Sequence, residues 1–256
     1  MKLRYIIGCL LILFASCESD KNETPPGQDN LITYLRSTTF ILQEDSLIAC
    51  AMGGQEGILE NSQFPVSVIF YPTFGATNFK YFESEGELSN SKDYSKYTER
   101  KLSTDPLFNG YLFRFLRPES TENNWGIVTF ERNGKLHISN PIHLKDTHLP
   151  TEYGPDLLNL NQDQMLSPLF SWEDGKSDDN AIYFQVIADA DGNLLSGTYT
   201  YDKHFRFYDL TNVVLNIRDV NPHPTLQAGH TYSFTLMAVS EDNWVNLVAD
   251  VEFTAN

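Results

Sequence analysis

Apolar and polar residues alternate along most of this chain with the period of two that marks half-buried strands. The runs are short and rich in Val, Ile, Phe, Tyr and Thr, and Gly, Asn, Asp and Pro separate them. They predict strands over 46–52, 65–71, 78–83, 111–116, 126–132 and 136–144, and after a gap over 169–172, 182–188, 193–201, 213–217, 231–240 and 245–253. Asn133-Gly134 is the strongest hairpin signal, since both residues tolerate the positive φ of a type I′ turn. Pro141 cannot donate a ladder hydrogen bond, which puts it at an edge or a bulge. Helical signal is confined to pieces such as 155–166, where Leu157, Leu158 and Leu160 allow a turn or two. Many short strands joined by turns make an all-β chain built as sandwiches or barrels. Between Asp146 and Ser167 turn formers dominate, with Pro150 and Pro155 among them. The expectation is two tandem β-sandwiches, 31–148 and 166–256, joined by a linker over 149–165; at about 115 and about 90 residues both are ordinary domain sizes.

The first thirty residues follow another grammar. Lys2 and Arg4 precede an apolar run from Tyr5 to Phe14, and Ala15-Ser16 lead into Cys17. A run of about ten residues is half of the roughly twenty needed to cross a bilayer, so it is a signal segment. The segment resembles the signal peptide and lipobox of bacterial lipoproteins. That resemblance implies removal of 1–16, acylation of Cys17 and anchoring by more than one acyl chain. The alternative is plain secretion with Cys17 unmodified. The stretch 17–30 holds no apolar residue larger than proline and is expected to be a solvated tether. Its acidic residues next to Cys17 resemble the surface-export signal of Bacteroidota lipoproteins, which implies the outer membrane and its outer face.

Charge narrows the partners. The full chain carries −16; loss of Lys2 and Arg4 leaves 16 basic against 34 acidic residues, or −18. Such a body is repelled by nucleic acid and by anionic headgroups, so the expected membrane contact is the N-terminal lipid alone. With Cys9 in the signal and Cys17 acylated, Cys50 is left without a disulfide partner. It sits in the apolar run Leu47-Ile48-Ala49-Cys50-Ala51 and is expected to pack as a small hydrophobe.

The second module carries a pattern of its own: Trp172 on an early strand, Leu226-Gln-Ala-Gly229-His-Thr-Tyr232, then an alternating strand to Ala238-Val239. It resembles the fibronectin type III domain, which implies that Tyr232 forms the corner tyrosine, its hydroxyl bonded to nearby backbone and its ring in the core. In the first module Trp125 to Phe130, the Asn133-Gly134 turn and 136–144 look like the closing hairpin of an immunoglobulin-like sandwich. Neither likeness implies a particular function.

Candidate chemistry is sparse. The serine-hydrolase elbow, zincin helix, phosphate loop and dinucleotide fingerprint are all missing from the sequence. Asp189-Ala-Asp191-Gly-Asn193 has the oxygen density of a calcium loop, but its glycine is misplaced and the closing glutamate is lacking, so a turn explains it. His137, His143 and His148 have no cysteine pair or evident acidic partner to complete a zinc site. No metal and no cofactor are expected. Tyr94 and Tyr97, set among Ser91, Lys92, Asp93, Ser95 and Lys96, are expected to be exposed in a long polar insertion over 83–105 and are the candidate ligand-binding residues.

The leading expectation is a non-enzymatic, lipid-anchored envelope protein acting as a surface binding or spacer module, with glycan as one ligand class. The alternatives are an accessory structural subunit docked on an envelope protein complex and a carboxylate-dependent hydrolase.

Overall fold

The computed structural model describes residues 29–54, 59, 64–121 and 123–256. Cys17, the signal segment and all but the last two residues of the tether lie outside the described residues. A short helix α1, Leu31–Ser37, opens the described chain. Asn30 caps it, its side chain accepting from the Ile32 N–H at 3.0 Å. Ten strands follow in the first module: β1 Ile41–Leu47, β2 Ala49–Gly53, β3 Val66–Phe70, β4 Thr77–Ser84, β5 Tyr97–Glu99, β6 Thr104–Leu107, β7 Leu112–Arg117, β8 Trp125–Arg132, β9 Lys135–Ser139 and β10 Ile142–His143. Nine form the second: β11 Glu152–Tyr153, β12 Leu158–Asn161, β13 Leu169–Trp172, β14 Asn180–Asp189, β15 Leu194–Thr200, β16 His204–Arg206, β17 Val213–Asn216, β18 Thr231–Ser240 and β19 Val245–Thr254.

Each module is a sandwich, as the alternation predicts. In the first, the sheet β1-β9-β8-β4-β5 faces β2-β3-β7-β6. In the second, β11-β19-β18-β14-β15-β17 faces β12-β13-β16. In the first, the closing hairpin β8-β9 shares its sheet with β1, β4 and β5, opposite β2, β3, β6 and β7. The second bears out its corner: the Tyr232 hydroxyl accepts from the Gln227 N–H at 2.9 Å, and the ring lies in a core with Trp172, Phe170 and Phe234.

Two expectations are corrected. The stretch 149–165 is not a linker, because β11 pairs in parallel with β19 and β12 pairs with β13. Its prolines stand between strands instead of replacing them; Pro155 begins a 3-10 turn that carries the chain from one sheet to the other. The insertion 83–105 is likewise not a free loop, since it contains β5 and runs into β6.

The two modules join through strands that are apolar on both faces. Alternate residues of β2 and β3 point to opposite sides: Ala51, Val68 and Phe70 fill the first sandwich, while Met52 and Ile69 face away from it. That outward face packs on the outward face of the second sandwich, where Phe184, Val186, Met237 and Val248 meet it in one buried cluster. The described chain is therefore four sheets deep, with an apolar layer between each pair. Helix α1 closes the far side, Leu31 and Leu35 covering Phe82, Ile127 and Leu136. Cys50 packs against the middle layer, where burial pushes its thiol up to about 12, so it is protonated at neutral pH.

Candidate functional site

The turn between β18 and β19 locks the two sandwiches together. Trp244, fully buried, belongs to the core of the first sandwich although the turn that carries it joins two strands of the second. Its indole N–H donates to the Leu149 carbonyl at 2.9 Å. Gly53 makes room for it: a Cβ there would stand 2.9 Å from the Asp146 Cβ and 3.3 Å from the Trp244 ring. The turn's backbone continues the lock. Asn243 O accepts from the Ala51 N–H at 3.0 Å, Asp242 O accepts from the His143 N–H at 2.9 Å, and the Asn243 side chain donates to Pro141 O at 2.9 Å.

Asp242 adds charge to the lock. Its carboxylate meets His143 Nδ1 at 3.1 Å, the Lys145 ammonium and the Ser240 hydroxyl. Burial alone would raise the Asp242 pKa, but the bonds from His143, Lys145 and Ser240 outweigh it and hold the group well below the usual carboxylate range. His143 is clamped on its other side by Trp125, the rings 4.3 Å apart and nearly parallel. At the opposite end of the seam Tyr71 and Tyr111 both donate to Ile217 O, at 3.2 and 2.6 Å, and Asn109 donates to Asp191 O at 2.9 Å.

Two cavities flank β11 where it crosses this seam, sharing Thr151, Glu152 and Tyr153 as their common wall. One, of about 260 Å³, is completed by Met52, Gly53, Gly54 and Val248. The other, of about 390 Å³, is completed by Leu149, Pro150, Lys176, Ser177 and Asn246. Thr151 pins the wall, donating to Val245 O at 2.7 Å and accepting from the Gly53 N–H at 2.9 Å. A third hollow, of about 480 Å³, is polar and lies over Asp178, Asp179, Asn180, Glu241 and Lys145. The larger two fall within the roughly 300–1,000 Å³ usual for small-ligand sites.

The predicted site residues lie elsewhere, and their expected exposure is corrected. Tyr97 has no exposed surface: its ring belongs to the layer under α1, and its hydroxyl donates to Ser91 O at 2.6 Å. Tyr94 is half-buried against the same layer, and burial together with Glu44 and Asp45 lifts its hydroxyl to about 12. The polar residues around them bond to each other. Asp93 accepts from the N–H and hydroxyl of Ser95, and Asn30 donates to Ser95 O. The two tyrosines thus fasten the insertion down over α1 and β5.

The three histidines do not converge. His137 bonds Ser46 and stacks on Phe130, His143 serves the lock, and His148 is exposed. Among the described residues no three His, Cys, Asp or Glu side chains stand close enough to hold a metal ion. Asp189 spends its oxygens on its own turn, accepting from the N–H groups of Asp191 and Asn193 and from the Asn193 amide. One buried carboxylate escaped sequence reasoning. Glu83 accepts from Arg117 Nε at 2.9 Å and Nη2 at 2.8 Å, from Asn124 at 2.8 Å and from Tyr81 at 3.0 Å. Desolvation opposes its charge, but the Arg117 guanidinium prevails and keeps its pKa below the ordinary value. Four donors saturate this carboxylate, so it braces the first sandwich.

No protein-family model and no curated protein matches this chain. Solved structures similar to it include the chicken CNTN1 FN1-FN3 domains, at 10% identity over 84% of this chain and 68% of that one, with a TM-score of 0.29. Another is the chicken interferon gamma receptor alpha chain, at 11% identity over 75% of this chain and 89% of that one, with a TM-score of 0.22. Likenesses of that size carry no weight, and the sandwich assignment rests on strand order, register and the tyrosine corner.

Proposed function

We propose that this chain is a non-enzymatic binding module of the cell envelope, anchored at the outer membrane through Cys17 and recognising its partner along the seam between its sandwiches. The lock around Trp244 is the observation that carries the reading. A surface made by two modules recognises a partner well only if the modules keep one relation, because ordering them at the moment of binding costs affinity. Here a tryptophan from one module fills the core of the other, and three backbone or amide hydrogen bonds accompany it. Saturation of Glu83 and of Asp189 by internal donors supports a binding role over a carboxylate hydrolase. The lipoprotein-like start and the charge of −18 supply the placement: a lipid tether with the acidic body standing off anionic headgroups. Glycan or an envelope protein is the partner class, and nucleic acid is not.

Metabolic labelling with a clickable fatty acid, combined with protease shaving of intact cells, tests the placement. The wild type takes the label and is shaved, whereas Cys17→Ser is unlabelled and leaves the membrane fraction. Label retained by Cys17→Ser, or protection of the wild type from the protease, overturns it.

A further inference from the structure

The cavity of about 390 Å³ beside β11 has at its inner wall a side chain whose hydrogen bonding is incomplete. Asn246 is 4% exposed, and its Oδ1 meets no donor among the described residues. Which amide atom is the oxygen is fixed by its neighbours. Asn180 donates its amide N–H to Asp174, so its own Oδ1 is turned to Asn246, and Asn246 must present its NH₂ there, at 3.0 Å. Asp174 is held ionised, below its ordinary pKa, because hydrogen bonds from Lys203, Tyr183 and Asn180 outweigh the cost of its burial. A chain of amides that starts on a carboxylate is polarised along its length, which strengthens the acceptor at its free end.

The strand itself departs from regularity at this residue. On β19, Val245 pairs with Val239 and Leu247 with Ala238, so Asn246 is the extra residue of a bulge. Bulges re-aim side chains and are frequent beside functional sites. An amide oxygen buried without a donor keeps the cost of its lost hydration uncompensated. Bulge, cost and cavity coincide on one side chain.

The rest of the lining defines what fits. Glu152 adds a carboxylate to the same lining, and Lys176 pairs with it, Nζ 3.5 Å from Oε1. Tyr153, Leu149 and Pro150 supply apolar walls. A complementary ligand is uncharged, offers several hydroxyl donors, and has one apolar ring face to set against an aromatic or aliphatic wall. A basic side chain would satisfy the acceptors, but Lys176 repels it. We infer that this cavity is a subsite for one neutral pyranose unit, with Asn246 Oδ1 accepting a ring hydroxyl, Glu152 a second, and Tyr153 bounding the sugar's C–H face. The inference deepens the binding reading above and rests on it.

The test is saturation-transfer NMR on the full lipidated chain in a detergent without a sugar headgroup. The probes are the methyl glycosides of glucose, mannose, galactose and N-acetylglucosamine, followed by titration of the best one. Transfer to ring C–H protons is expected, with affinity lowered about fivefold to tenfold in Asn246→Leu, the size of one lost hydrogen bond. Tyr153→Ala, which leaves the Asn180–Asn246 chain intact, weakens binding too and guards against a folding defect in the first variant. Equal affinity in wild type and both variants overturns the site while leaving the binding reading in place. Binding of N-acetyl-lysine amide or arginine amide in preference to every glycoside overturns the ligand class. Binding of neither overturns the inference, and chemical crosslinking of intact cells through the seam then decides separately whether the broader reading survives.

Discussion

The segments 85–97 and 147–153 read alike as sequence and behave differently as structure. Both are polar, both are rich in turn formers, and both leave one strand signal for another. The first is fastened by its own module: Leu88, Tyr94 and Tyr97 go into the layer beneath α1, and Asp93, Ser95 and Asn30 tie its backbone. The second is fastened by both modules at once: Leu149 O accepts from Trp244, and Thr151 joins Gly53 to Val245. A segment held from one side lies flat and closes a core. A segment held from two sides becomes a partition, and cavities open on either flank of it. Turn-forming composition reports where a chain leaves a sheet; where it lands depends on partners far away in sequence.

The largest blow to this comparison comes from Trp244→Ala. It deletes a fully buried indole, carried on a turn of the second module, from the core of the first, at a cost of about 3–5 kcal/mol. Denaturant unfolding should change in character as well as in midpoint. The wild type unfolds in one transition, and the variant in two, as the sandwiches lose their shared tryptophan. A single transition in the variant, shifted by less than about 1 kcal/mol, would show that the second segment does not depend on the lock.

That dependence explains which parts of the molecule were legible. Strand runs such as 65–71, 126–132 and 231–240 are short, rich in β-branched and aromatic residues and bounded by turn formers, and that local pattern suffices to find them although most of their residues are buried on both faces. The corner at Tyr232 was legible because its partner Gln227 is five residues away. The lock was not, because its partners are far apart in the chain: Ala51 meets Asn243 from the other module, and Leu149 meets Trp244, 95 residues on. Trp244 itself reads only as an aromatic after a turn. The alternating residues Cys50, Met52 and Ile69 did carry a signal: a strand apolar on both faces has something packed on both. Tyr94 and Tyr97 misled for the opposite reason. Their neighbours in sequence are polar, but the apolar groups that cover them come from α1, β4 and β9.

Acid should loosen the second segment's anchorage through Asp242. The folded pKa of Asp242 is depressed by its bonds to His143, Lys145 and Ser240, which outweigh its burial. Its contribution to stability is thus complete above the unfolded carboxylate value of about 3.9 and is lost as pH falls toward the lower folded value. Melting temperatures measured from pH 7 down to pH 2 should fall on the acid side, and Asp242→Asn should flatten part of that fall. An acid limb identical in the two proteins would assign the lock's strength to Trp244 and the backbone bonds alone.

The finest test sits in the first segment. Tyr97→Phe keeps the ring in its layer and removes only the hydroxyl that donates to Ser91 O at 2.6 Å. One hydrogen bond of this kind contributes about 0.5–1.5 kcal/mol. In a cooperative unit of this size each kcal/mol moves the melting temperature by about 2–4 °C. The loss should appear as a small drop in melting temperature, with the insertion's amides around Ser91 exchanging faster while those of β11 are unchanged. Sugar or partner binding should be unaffected, since the tyrosine faces the core and the seam is on the other side of its sandwich. If Tyr97→Phe left stability alone and abolished binding, the hydroxyl would have a ligand after all, and the contrast between the two segments would reverse.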